Sequence, residues 1–223
     1  MRGIPPRLSF ASGVILSRVL SEKRAGCCSE TKDIIVTLER MLQQQRHPLF
    51  KSLCWLWEEA RTLPGAWLFP AEENGVSGFA GLAPILVIGE QPSLSPWPPG
   101  DKGRRCLYDA LLACGAGQAH LTDIVKSRGG KGECTHWTQW PREQLQPHIN
   151  LLRRELDELD PDRNAKLILL GDDARGLFSR HFPKHAASAR VVPHFGALRW
   201  VRLENRGAWY TSFREKLSTA LNS

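Results

Sequence analysis

The sequence predicts an α/β domain, a single three-layer α/β/α sandwich built on a mostly parallel four-stranded sheet. Three observations carry the prediction. Short continuous apolar runs, each closed by a glycine or a polar residue, recur through the second half of the chain, as expected of strands buried on both faces of a parallel sheet. Stretches with apolar residues at helical spacing separate them. The 223 residues are 42% hydrophobic and 24% charged, which suits one ordinary core and contains neither a bilayer-spanning run nor the polar bias of a disordered chain.

The elements follow in order. Asp33 can cap a helix with Ile34, Leu38, Met41 and Leu42 on one face, and Pro48 interrupts it. Leu49, Leu53, Trp57 and Ala60 predict a second helix. Residues 63–83, with Pro64, Gly65 and Pro70, read as a loop crossing the surface. Pro84-Ile85-Leu86-Val87-Ile88-Gly89 is the first strand. A loop holding Pro92, Pro96, Pro98 and Pro99 leads to a helix marked by Leu107, Leu111 and Leu112. The second strand is 119–125, and a helix over 141–159 buries Ile149, Leu152, Leu156 and Leu159, with Pro147 near its first turn. Residues 166–171 form the third strand and run into a helix start at Asp172-Asp173-Ala174, whose acids suit the positive end of the helix dipole. Arg190-Val191-Val192 is the fourth strand. Trp209, Phe213, Leu217 and Leu221 define the closing helix.

Ahead of this domain, assigned to 32–223, residues 1–31 carry Arg2, Arg7, Arg18, Lys23 and Arg24 with no acid before Glu22. The composition is that of a transit peptide, but the segment reads more simply as a basic, disordered extension. Across the whole chain 30 Lys and Arg oppose 23 Asp and Glu, a net charge of +7. That excess favours polyanionic partners, nucleic acid first. Six cysteines without a C-x-x-C pair argue against a zinc ribbon or a secreted disulfide framework and for free thiols in the cytoplasm. Cys134-x-His136 lacks a partner pair at ligand spacing, so no metal is expected.

In open α/β sheets ligands bind beyond the carboxyl ends of the strands. Here those ends carry Gly89-Glu90-Gln91-Pro92, then Thr122-Asp123 with Lys126-Ser127-Arg128, then Gly171-Asp172-Asp173, then His194-Phe195-Gly196-Ala197-Leu198-Arg199. No phosphate-binding loop of the G-x-x-x-x-G-K-[ST] or G-x-G-x-x-G type is present. Lys102, Arg104, Arg105, Lys126, Arg128 and Lys131 surround the expected mouth, followed by Trp137 and Trp140, a combination suited to phosphate contacts and stacking on bases. Taken alone, Glu90 also fits a capping carboxylate, His194 a structural histidine, and Leu198 a core residue.

In this order, with gaps of 33, 48 and 23 residues from Glu90 through Asp123 and Gly171 to His194, the four segments resemble the motifs of the uracil-DNA glycosylase superfamily over about 84–221. The resemblance implies a monofunctional DNA glycosylase that flips out a pyrimidine-type base and hydrolyses its N-glycosidic bond. It places Glu90 as the carboxylate that steadies the sugar cation and the water, and His194 as the donor to the departing base. Gln91, Trp97 and Asp123 would contact the base; Lys126, Arg128, Lys131, Leu198 and Arg199 would contact DNA, with Leu198 entering the duplex. The partner would be DNA, not a membrane, and the protein a monomer without cofactor. No lysine stands where it would form a Schiff base.

Two departures matter. Gly89-Glu90-Gln91-Pro92 is most similar to the iron-sulfur branch, yet Ser127 stands where that branch has a cysteine and Cys27-Cys28 are adjacent, so no cluster is expected. Asp123 stands where uracil-specific members carry Asn. An ionised Asp has only acceptors; it opposes O4 of uracil and accepts from the N4 amine of a cytosine. Because ordinary cytosine cannot be the target, a hydroxymethylated or glucosylated cytosine, as in defence against phage, fits best. The alternatives are excision of uracil in DNA repair, a non-catalytic nucleic-acid-binding module, and a metal-dependent nuclease using Glu90, Asp123 and Asp172.

Overall fold

A computed structural model of the chain describes residues 55–56, 58–70, 73–81, 84–93, 102–128 and 136–223. The chain divides into the units Met1–Gln43 and Gln44–Ser223, and all the described residues belong to the second. The extension 1–31, the helix expected over 33–42, Trp97 and Lys131 lie outside the described residues.

Each of the four apolar runs becomes a strand: β1 (Ile85–Gly89), β2 (His120–Asp123), β3 (Lys166–Leu170) and β4 (Arg190–Val192). They pair in parallel throughout, in the order β2-β1-β3-β4. Successive side chains of a strand point to opposite faces, and here both faces are covered. On one, Val87, Leu121, Ile168, Leu170 and Val192 pack under α1 (Lys102–Ala113) and α5 (Arg206–Asn222), which contribute Leu107, Leu111, Phe213 and Leu217. On the other, Leu86, Ile88, Leu167 and Leu169 pack under α2 (Arg142–Leu159) and α3 (Asp172–His181) through Ile149, Leu152, Leu156, Leu177 and Phe178. A short α4 (Pro183–Ala186), begun by a proline at its first position where a missing N–H costs nothing, follows α3. This is the three-layer α/β/α fold. Among the described residues no helix is long and apolar enough to cross a membrane, and Cys106 and Cys114 are free thiols.

Three local expectations need correction. The second strand stops at Asp123, although the amides of Ile124 and Val125 still bond Gly89 O and Glu90 O at 2.9 Å, lacing the two following loops together. Pro147 lies inside α2 instead of its first turn. Residues 63–83 are not merely a surface crossing, since Phe69, Val76, Phe79 and Ala80 are buried.

The connection from β1 to β2 runs over the first face through α1, whereas those from β2 to β3 and from β3 to β4 run over the second through α2 and α3. The chain therefore leaves β1 and β3 in opposite directions, and the crevice at their carboxyl ends is the place where such a sheet opens for a ligand.

Candidate functional site

Two glycines give the crevice its floor. Gly89 ends β1 beside Asp123 of β2, and a Cβ at residue 89 would collide with Asp123 Oδ1. Gly171 closes β3 at φ 93°, a conformation that favours glycine, and its amide bonds Val192 O at 2.8 Å, so the chain turns directly into α3 beneath His194. The crevice holds two adjoining chambers that share Gln91, Pro92, Ser93 and His194. One, of about 140 Å³, is walled by Trp67, Phe69, Asp123 and Arg199; that is close to the ~150 Å³ cavity that accommodates one benzene ring. The other is lined by Glu90, His136, Gly171 and Asp173.

Glu90 follows β1, and its Oε1 accepts a hydrogen bond from Trp137 Nε1. His136 Nε2 stands 3.4 Å from the same oxygen. The carboxylate is thereby oriented by one edge. Gln91 lines both chambers and also tethers their loops: its Nε2 donates to Ser127 O at 3.0 Å and its Oε1 accepts from Trp137 N at 3.0 Å. Both ends of the amide join loops, which ties the start of the 3-10 turn Trp137–Gln139 to the segment after β2.

His194 follows β4 and caps the 3-10 turn Phe195–Trp200. Its Nδ1 accepts from Gly196 N at 3.0 Å, so the neutral ring carries its proton on Nε2 and is a donor there. Burial pushes its pKa down; Asp173 opposes that shift and Arg199 adds to it. The ring is stacked on Phe195 with centroids 4.5 Å apart. A neutral, fixed imidazole with one outward N–H is the form that stabilises a developing anion without first losing a proton.

Asp123 is 6% exposed. Burial pushes its pKa up to about 7; Lys126 opposes the rise, and Glu155 and Glu90 add to it. At neutral pH the carboxyl therefore changes between a donor-acceptor and an acceptor-only group. Beneath it lies a buried network that the sequence did not disclose. Lys126 Nζ donates to Glu155 Oε2 at 2.6 Å, Thr122 Oγ1 at 2.6 Å and Asp123 O at 2.8 Å, and His120 Nε2 pairs with Glu155 Oε1 at 2.9 Å. Burial opposes the charge of Glu155, but Lys126 and His120 together hold its pKa below the ordinary value.

The expectation that Lys126 contacts DNA phosphates is thus overturned, because its ammonium is wholly inside the protein and committed to Glu155. Arg128 lies with its guanidinium 5.3 Å from the Trp67 ring centroid, against the wall of the base-sized chamber. Arg199 is exposed at its rim. Leu198 is half-buried against the core, and the exposed apolar side chain of that turn is Trp200, 89% accessible. Asp172 is exposed and paired with Arg175 at 3.0 Å, so it does not join Glu90 and Asp123, while Asp173 does line the crevice. Among the described residues no three His, Cys, Asp or Glu side chains are grouped to hold a metal ion.

Sequence reasoning missed Trp67 and Phe69. They reach the crevice because residues 64–67 pair antiparallel with 126–128: Trp67 N bonds Lys126 O at 3.0 Å, Arg128 N bonds Gly65 O at 2.9 Å, and Ser127 Oγ bonds Pro64 O. The only sequence signal was an aromatic pair, Trp67 and Phe69, inside a stretch otherwise rich in Pro and Gly. No protein-family model matches the chain, and no curated protein matches it.

Proposed function

We propose that the protein is a monofunctional DNA glycosylase that takes a pyrimidine-type base out of the duplex and hydrolyses its bond to the sugar, acting as a monomer in the cytoplasm. The observation that carries the reading is that one crevice is bordered by the Glu90 carboxylate, held by Trp137 Nε1, and by His194, whose Nδ1 accepts from Gly196 N, next to a ring-sized chamber walled by Trp67, Phe69 and Asp123. A flipped base has to leave the stack and find apolar walls and a polar end; Trp67 and Phe69 supply the walls. His194 donates to the oxygen beside the breaking bond as negative charge collects on the base. Glu90 faces the sugar, stabilises its oxocarbenium character and takes the proton of the water that adds to C1′. Lys126 is not the source of lysine chemistry at C1′, since its ammonium is committed to Glu155.

Asp123 decides the base. Ionised, it accepts from the N4 amine of a cytosine, and a 5-hydroxymethylated or glucosylated cytosine is the substrate proposed. Protonated, it imitates the amide of Asn and reads uracil; its pKa of about 7 keeps that second reading in play. Base release from duplexes carrying uracil, hypoxanthine, hydroxymethylcytosine or glucosylated hydroxymethylcytosine, followed by mass spectrometry, separates the two, and release of uracil alone removes the modified-cytosine reading. Glu90→Gln and His194→Ala each lower single-turnover excision by at least about 10²-fold, the scale of losing one transition-state donor, with DNA affinity kept. Unaltered excision in both variants would refute the site.

A further inference from the structure

His136, which entered the sequence reading only through its pair with Cys134, stands beside the Glu90 carboxylate. Its Nε2 lies 3.4 Å from Glu90 Oε1, its Nδ1 lies 3.0 Å from Thr138 Oγ1, and its ring packs on Trp137 with centroids 5.8 Å apart. The side chain is 39% exposed where that of Glu90 is 14% exposed. The imidazole is therefore the more solvent-accessible of the two groups, and a short approach closes the gap to a hydrogen bond. The other ionisable groups lining this chamber are Asp173, from the start of α3, and His194, after β4. His194 Nδ1 is already committed to Gly196.

We propose that His136 is a positioning residue of the hydrolysis: it relays to solvent the proton that Glu90 takes from the attacking water. The inference rests on the glycosylase reading. As the water oxygen bonds C1′, the C1′–N bond breaks and its electron pair leaves on the base. The water proton passes to Glu90 and from Glu90 to His136 Nε2, while Nδ1–H donates to Thr138 Oγ1. The carboxylate thereby recovers its charge within the turnover. Only an imidazole with its Nε2 lone pair free accepts this proton.

The test is single-turnover excision from pH 5 to 9 by the full-length wild type, His136→Gln and His136→Ala, on whichever duplex the wild type cleaves. His136→Gln is expected to be about 10²-fold slower at pH 8, within the range of general acid–base effects, with a pH profile that differs from that of the wild type. Added imidazole should restore at least about ten-fold in His136→Ala, the scale of a partial acid–base rescue, with DNA affinity unchanged. Asp123 is present in all three proteins, so the difference between profiles belongs to His136. Wild-type rates and profile in His136→Gln overturn the relay, as does a slower enzyme with an unchanged profile and no imidazole rescue. Glu90→Gln tells the two failures apart: inactive Glu90→Gln beside unaltered His136→Gln removes the relay alone. Active Glu90→Gln removes the role of Glu90 and the relay with it, whereas a wild type that releases no base from any duplex removes the glycosylase reading itself.

Discussion

Replacing Asp123 by Asn keeps the shape of the side chain and removes its charge, and the consequence can be worked out from its position. The folded-state pKa is about 7, against about 3.9 for an unperturbed Asp. Three units at about 1.36 kcal/mol each give about 4 kcal/mol. The folded value lies above the unfolded one, so the carboxyl supports the fold while it is protonated in both states, below about pH 3.9. That support is lost as pH rises through about 7 and is gone above it. Asn cannot ionise and keeps it. Urea denaturation of Asp123→Asn and wild type should give midpoints that nearly coincide at pH 4 and separate progressively to pH 8, where the variant is more stable by about 4 kcal/mol. The same substitution should fix base choice: the wild-type ratio of uracil to modified-cytosine release changes across neutrality, whereas that of the variant does not. A stability gap that stays constant from pH 4 to 8 would refute the assignment of this ionisation to Asp123.

The remaining predictions concern the groups that hold the site. Lys126→Met strands the Glu155 carboxylate and should cost about 3–5 kcal/mol, much of it recovered by adding Glu155→Leu; the dependence of DNA affinity on salt should not change, and a shallower slope would return Lys126 to the phosphates. Gly89→Ala drives a Cβ into Asp123 Oδ1 and should cost about 1–3 kcal/mol while weakening excision, so an unchanged urea midpoint would be contrary to the structure. Trp137→Phe keeps the ring and removes the donor to Glu90; kcat is expected to fall about ten-fold with KM unchanged, as for an interaction made in the transition state, and a change confined to KM would assign Trp137 to binding.

The sheet was legible because strands buried on two faces must be continuously apolar, and Leu86, Val87 and Ile88 leave no other reading. The strand ends were legible for the complementary reason that polar residues after such runs are rarely packing residues, and Glu90, Asp123 and His194 do border one crevice. Trp67 and Phe69 were not, because main-chain bonds between 64–67 and 126–128 bring them in, and main-chain pairing over that separation leaves no mark on side-chain pattern. Lys126 misled for a third reason. A lysine just past a strand end, in a run with Arg128, reads as a basic mouth unless an acid stands on the inward face of a neighbouring helix. Glu155, between Leu152 and Leu156 on the apolar stripe of α2, is that acid. A carboxylate on a buried stripe is tolerable only with a partner, so its position already asked for a cation from within the fold. The pairing has a chemical consequence at the site. The Lys126 ammonium meets Asp123 through the backbone oxygen and spends its charge on Glu155, so it only partly offsets the desolvation of the Asp123 carboxyl. An Asp that titrates near neutrality is the outcome of that arrangement, and moving the lysine toward its side chain would convert it into a permanently ionised acceptor.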